Sequence, residues 1–372
     1  MRAPRVRPIV IAAGGTGGHF FPAEAFAATL LAHGKRLVLL TDARTSGQDS
    51  AAFANAERFV LAGAGIAGRG LIRGARATAA LAAGTAQATR ILARLDPAAV
   101  VAFGGYPAVA PVLAAKLLRR RIPVVLHEQN AVLGRANRAL ATFADVLALS
   151  FAETARVPES AASELVGNPV RPAVAALANS PYAPPDEGPV RLLVTGGSLG
   201  ARVFGTLIPA ALAALPAPLR ARLRLSQQVR TENLEDVRRA YADAGIAADL
   251  ATFFPDIAER LGAAHLVIGR AGASTVAELT AAGRPSILIP LPGAIDDHQA
   301  ANAAALADAG AAWAMKQATL TPDTLAAKVA ALLASPEILA AAAAAAAALG
   351  RVEAAATLAG LVEGLIRPEV AR

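Results

Sequence analysis

At 372 residues the chain is long enough for two domains of about 100–200 residues each, and 55% hydrophobic residues can fill a core in both. There is no cysteine, which excludes disulfides, thiolate metal sites and a cysteine nucleophile. Residues 1–170 hold 19 Lys and Arg against 10 Asp and Glu, and the remainder 17 against 18, so the whole +8 excess belongs to the first half. A basic half fits nucleic acid, anionic lipid or a phosphorylated substrate, and fits equally a solvated arginine-rich surface.

The N-terminus lacks the apolar stretch and small-residue cleavage site of a signal peptide. Apolar, β-branched runs then recur with room for one helix between them. They fall at 8–13, 36–41, 58–61, 99–103, 123–127 and 145–150, and again at 190–195, 222–227, 250–254, 265–269, 286–290 and 312–315. Helical periodicity marks stretches such as 77–95 and 206–215. Continuous apolar strands alternating with helices predict parallel sheets covered on both faces. The fold class expected is therefore α/β, with two Rossmann-like doubly wound domains facing a cleft. Residues 1–165 form the first domain and 166–349 the second, joined through Gly167-Asn168-Pro169-Val170-Arg171 and a proline-rich stretch at 180–189. Residues 350–372 read as a helical tail returning toward the first domain. The alanine-rich tracts, including 340–349, are broken or too weakly apolar to span a membrane.

Two glycine loops of one kind follow the first strand of each half: Gly14-Gly15-Thr16-Gly17-Gly18-His19 and Gly196-Gly197-Ser198-Leu199-Gly200. Such a loop lets backbone N–H groups and a helix start approach a phosphate. Neither is the dinucleotide fingerprint, since Phe20 stands where its third glycine belongs. His19 at a helix start is either a base that takes a proton from an attacking hydroxyl or a capping, packing histidine. His127-Glu128-Gln129-Asn130 ends a strand and is either a polar site or a polar turn. Gly104-Gly105-Tyr106-Pro107 either brings backbone to another phosphate or is an ordinary turn. Arg270-Ala271-Gly272-Ala273-Ser274-Thr275 leads into Glu278, placed to bridge two ribose hydroxyls or to solvate a helix start. Asp296-Asp297-His298-Gln299 has poor metal spacing, and no Asp-x-Asp pair occurs, so sugar hydrogen bonding is the better reading and no metal is expected.

These segments, in this order and with Gly167–Arg171, closely resemble the MurG family of bacterial peptidoglycan glycosyltransferases over nearly the whole chain. The resemblance implies a two-domain GT-B type enzyme, active in cell-wall biogenesis and so in cell shape and division. It would transfer GlcNAc from UDP-GlcNAc to lipid I, undecaprenyl-diphospho-MurNAc-pentapeptide, giving lipid II by inversion with no metal or cofactor. By position it assigns Thr16, Gly17, Gly18 and Asn130 to the donor, Arg171 and Ser198 to its diphosphate and sugar, and Ala273, Ser274, Thr275 and Glu278 to the nucleotide. Gln299 would hold the GlcNAc hydroxyls, and Phe254 stands where the family's main chain reads uracil. Gly104, Gly105, Tyr106, His127 and Glu128 would serve the acceptor diphosphate, with His19 the base. Two departures stand out: Leu199 replaces the usual Gln and removes a polar contact, and Pro255 lacks the N–H of the usual residue. An epimerase, a transferase with another acceptor, or a non-catalytic relative would share the fold. The implied location is peripheral, on the cytoplasmic face of the inner membrane. The 66–76 segment, with Arg69, Arg73 and Arg76 around Leu71 and Ile72, would meet anionic lipid as a loosened loop. No nucleic-acid partner is implied.

Overall fold

The structure, a computed structural model, describes residues 6–14, 17–45, 50–62, 71–118, 121–197 and 200–366, with backbone alone for 71–75. The chain divides into two units. The first comprises residues 1–171 with 353–372, and the second 172–352. These divisions fall a few residues later than the 166 and 350 read from sequence. Val166 and Val170 are buried, and Val166 belongs to a core cluster of the first unit, so the connecting strand end stays with that unit.

The first unit holds a seven-stranded sheet of β1 (Ile9–Ala12), β2 (Leu37–Thr41), β3 (Glu57–Val60), β4 (Ala99–Ala102), β5 (Val124–Glu128), β6 (Val146–Leu149) and β7 (Ser163–Leu165). Its order is β3-β2-β1-β4-β5-β6-β7, and every pairing is parallel. The second unit holds β8 (Val190–Thr195), β9 (Leu223–Gln228), β10 (Ala247–Ala251), β11 (Leu266–Gly269), β12 (Ser286–Leu288) and β13 (Ala312–Ala314). They lie in the order β10-β9-β8-β11-β12-β13, again all parallel. Each sheet thus steps outward from its first strand and then resumes on that strand's other side. The reversal falls between β1 and β4 and between β8 and β11. Open α/β sheets take ligands beyond the carboxyl ends of the strands at such a reversal.

The alternation of side chains along a strand explains the two cores of the first unit. Val10 and Ala12 face one way, with Val38, Leu40 and Val100, under the helix Leu71–Leu95. Ile9 and Ile11 face the other way, with Phe26 of the helix Gly17–Ala32 and Leu358 and Val362 of the helix Ala354–Leu365. That last helix is fastened by Glu363, which accepts from His33 Nδ1 at 3.2 Å and Lys35 Nζ at 3.3 Å. In the second unit Leu192 and Val194 pack with Phe204, Ile208 and Leu325.

Several local expectations change. β10 lies three residues before the predicted 250–254, because its register against Arg224–Gln228 sets it, not the apolar Phe253-Phe254 that follows. β7 is an unpredicted edge strand of three residues, two of them exposed. Leu71–Arg76 are helix and not loop, since Leu, Ala and Arg favour helix and one Gly74 costs only about 1 kcal/mol. Residues 66–70 lie outside the described residues. Among the described residues one stretch, Pro336–Leu365, is long and apolar enough to cross a membrane. It is two helices, Pro336–Leu349 and Ala354–Leu365, interrupted at Gly350, and each buries one face in its own unit.

Candidate functional site

In the first unit the helix Gly17–Ala32 begins five residues after Ala12, the last residue of β1. The first-turn amides of Gly17, Gly18 and His19 have no intrahelical partner and carry the positive helix end. Thr16 lies outside the described residues. Gly14 is confined: a Cβ there would stand 2.9 Å from both Asp42 Oδ1 and Thr45 Oγ1. Across the reversal β4 is followed by Phe103, then Gly104 at φ 79° and Gly105 at φ 68°. Only glycine reaches that region at low cost. The imidazole of His19 lies over the pair, since a Cβ on Gly105 would stand 3.4 Å from its Nε2. His19 is half-buried, and its Nδ1 is 3.0 Å from Gln129 Oε1.

Tyr106 opens the short turn after these glycines, and its hydroxyl donates to the Asp42 carboxylate. Asp42, at the end of β2, is 3% exposed and also accepts from Arg44 Nε at 3.0 Å and the Thr45 amide at 3.2 Å. The Arg44 guanidinium lies 4.8 Å from the Tyr106 ring centre. Sequence reasoning passed over Asp42 and Arg44. An acidic residue directly after a second parallel strand was the available signal.

The polar segment that ends β5 corrects an expectation. His127 is 0% exposed and Glu128 2%. His127 Nε2 is 2.9 Å from the Gly167 carbonyl, and its Nδ1 is 2.9 Å from Gln129 Nε2. Burial holds the His127 pKa down at about 4. The Glu128 carboxylate accepts from the Asn130 amide, Asn130 Nδ2, the Gly134 amide and Asn137 Nδ2, all at 2.8–3.0 Å. Neither side chain retains an open polar edge for an acceptor diphosphate, and a second anion beside Glu128 would repel it. Their work is internal: they shape the loop that presents half-buried Asn130. Gly104, Gly105 and Tyr106 stay at the mouth of the reversal. Arg171 ends this unit with its guanidinium 5.8 Å from the Phe21 ring centre.

In the second unit three amides of the glycine loop after β8 have partners. The amide of Gly196 donates to Gln228 Oε1 at 3.1 Å, that of Gly197 to Thr195 Oγ1 at 3.3 Å, and that of Gly200 to the Gly197 carbonyl at 3.0 Å. The following helix begins only at Phe204. Those three amides already have acceptors. Ser198 and Leu199 lie outside the described residues. Across the reversal lies a second helix start. Gly272 caps the helix Ala273–Ala282, which starts directly beyond β11 and leaves its first-turn amides, at Ala273, Ser274 and Thr275, without intrahelical partners. Glu278 lies one turn further along, on the face shared with Ser274 and Thr275.

Gln299 is the second residue of the helix His298–Asp308, which Asn302 Nδ2 ties to the Ala271 carbonyl at 3.0 Å. Its Oε1 accepts from the Leu291 amide at 2.9 Å, so its amide nitrogen is turned away from that bond. Asp296 and Asp297, at φ 53° and 54°, turn the chain into this helix. Phe254 follows the edge strand β10 and is buried under Arg260, whose guanidinium lies 4.1 Å from its ring centre. Arg260 is held by Asp256 at 2.9 Å and Asp249 at 2.6 Å. Among the described residues no three His, Asp or Glu side chains gather as a metal would require.

Two parallel α/β units, each with a helix start at its sheet reversal, are the architecture of GT-B type nucleotide-sugar transferases. The N-terminal domain model of glycosyltransferase family 28 matches residues 9–148, and its C-terminal domain model residues 191–358. The chain belongs to glycosyltransferase family 28. Within it, the chain is 58% identical over 96% of its length, and 93% of the relative's, to the UDP-N-acetylglucosamine--N-acetylmuramyl-(pentapeptide) pyrophosphoryl-undecaprenol N-acetylglucosamine transferase of Granulibacter bethesdensis. The enzyme of that name from Acidiphilium cryptum is 56% identical over the full length of both chains. The crystal structure of Acinetobacter baumannii MurG superposes with a TM-score of 0.77 at 32% identity, covering 96% of this chain and 99% of that one.

Proposed function

We propose that this chain transfers GlcNAc from UDP-GlcNAc to the MurNAc 4-hydroxyl of lipid I, giving lipid II and UDP. The observation that carries the reading is identity of 56% along the entire length of a transferase of that name. Relatedness at that level spans both units.

The residues divide the reaction between the units. In the second, the helix start at Ala273–Thr275 meets the donor phosphates, Glu278 takes the ribose hydroxyls and Gln299 the GlcNAc hydroxyls. In the first, Gly17, Gly18 and Asn130 meet the donor sugar side, while Gly104, Gly105 and Tyr106 meet the acceptor. His19 Nε2 takes the proton of the 4-hydroxyl. That oxygen bonds to the anomeric carbon from the face opposite UDP, the bond from carbon to the phosphate oxygen breaks, and the configuration inverts. Charge gathering on the departing diphosphate is met by helix-end amides and Arg171. Work at the anionic cytoplasmic surface of the membrane belongs to the same proposal, supported by the positive excess of the first half.

The test is UDP release from UDP-GlcNAc with and without a soluble lipid I analogue, with mass analysis of the product and with EDTA present. Acceptor-dependent release and a product heavier by one GlcNAc are expected. Release without dependence on acceptor, or an epimerised donor, would overturn the reading.

A further inference from the structure

His127 and Gln129, two residues apart, form one line of hydrogen bonds with His19, 110 residues from Gln129. The Gly167 carbonyl can only accept, so the His127 nitrogen 2.9 Å from it, Nε2, carries a proton. A neutral ring has one such proton, so His127 Nδ1 is a lone pair and accepts. Its partner at 2.9 Å is the Gln129 amide, which must therefore turn its nitrogen toward the ring. The same nitrogen stands 3.0 Å from the Phe103 carbonyl, so both its protons have acceptors. Flipping the amide would face its oxygen with a carbonyl and a lone pair together. The oxygen is thus fixed toward His19 Nδ1, 3.0 Å away.

We propose that Gln129 and His127 are positioning residues that fix the tautomer of His19, holding its proton on Nδ1 and leaving the lone pair on Nε2 over Gly105. The buried ring of His127 is the anchor of the line. Burial keeps it neutral with a pKa of about 4, so its pattern of one donor and one acceptor persists through the physiological range. A general base needs its lone pair at the atom that meets substrate, and the hydrogen bond on the other nitrogen decides which atom that is. The proposal rests on the reading of His19 as base, and it adds the groups that make it competent.

The experiment is ¹⁵N-histidine NMR on the full chain near pH 8, where free imidazole is neutral, beside steady-state kinetics. Of the five histidines, His19 is assigned by comparison with His19→Gln and His127 with His127→Gln. The expected spectrum shows a pyrrole-type Nδ1 and pyridine-type Nε2 for His19, and the reverse for His127. In Gln129→Leu the two His19 nitrogens should move toward averaged positions. Its kcat should fall by roughly 10- to 10⁴-fold, the upper figure being what a lost tautomer lock costs a serine protease, with KM for UDP-GlcNAc within about twofold. Wild-type His19 protonated at Nε2 overturns the proposal, as does Gln129→Leu with unchanged spectrum and kcat. The wild-type spectrum decides the tautomer even where Gln129→Leu fails to fold. Full activity in His19→Gln would refute the base and not the tautomer, which the spectrum settles alone.

Discussion

Lowering the pH from about 7.5 to about 5 should weaken the first unit through one ring, that of His127. Burial is the largest influence on it, and the ring titrates at about 4 in the folded chain. The Gly167 hydrogen bond and Glu128 pull the value upward, and His19 pulls it down. In the unfolded chain the same ring titrates near 6.5. The folded value is the lower one, so the unfolded chain takes the proton first. The stabilisation is therefore complete above about 6.5 and is lost as pH falls toward about 4. At about 1.4 kcal/mol per unit the full loss is about 3 kcal/mol, of which about 2 is gone by pH 5. For a unit of this size that corresponds to roughly 4–8 °C in Tm. Scanning calorimetry of wild type and His127→Gln across this range provides the assay. The variant has no ring to protonate, so its Tm should fall less by that amount. The difference removes the contribution of carboxylates and of His265, which burial lowers in the second unit. Equal pH slopes for the two proteins would refute the reasoning.

Four further outcomes follow from named groups. His19→Ala should lower kcat by roughly 10²–10⁴-fold with donor KM little changed, and a value within a few-fold of wild type would show that another group is the base. Glu278→Ala should weaken UDP binding by about 1.5–3 kcal/mol by titration calorimetry, the scale of a charged hydrogen bond; unchanged affinity would remove Glu278 from the ribose. Gly84→Ala should destabilise the first unit by about 1–3 kcal/mol in denaturant melts, because its Cβ would stand 2.1 Å from the Ala62 carbonyl oxygen. An Arg69/Arg73/Arg76→Ser triple variant should sediment less with anionic vesicles at low salt, and equal sedimentation would clear that segment of membrane docking.

The strands were legible because a parallel strand covered on both faces must be apolar at every position, as Ile9–Ala12 is. Legibility failed at the edges. Ser163-Glu164-Leu165 carries no such pattern, and the Phe253-Phe254 pair outweighed the plainer Ala247–Ala251 that pairs in register. The site divides in the same way. Glycines announce themselves by type, and Gly104 and Gly105 stand where a positive φ and a close ring require them. The fate of His127 and Glu128 did not announce itself. Four polar residues at a strand end look alike in sequence, whereas the pleat turns His127 and Gln129 to one side and Glu128 to the other. Their partners lie apart in sequence as well, since His127 bonds the Gly167 carbonyl and Gln129 bonds His19, 110 residues away. In the second glycine loop the partner of the Gly196 amide, Gln228, comes from another strand, which local sequence does not reveal.

The chain leaves its first unit at Arg171 and re-enters it at Glu353, so the second unit is an insertion within the first. Leu358, Ala359 and Val362 complete the core that begins at Ile9. On the ribosome the N-terminal unit is therefore finished last, after the whole inserted unit has been made. Until then the apolar surface of the helix Gly17–Ala32 that Leu358 and Val362 will cover stays open to water or to chaperones. A nascent chain stopped short of about residue 365 would carry a closed inserted unit and an open first one. Quality control would meet such truncations at the N-terminal unit, far along the sequence from the lesion.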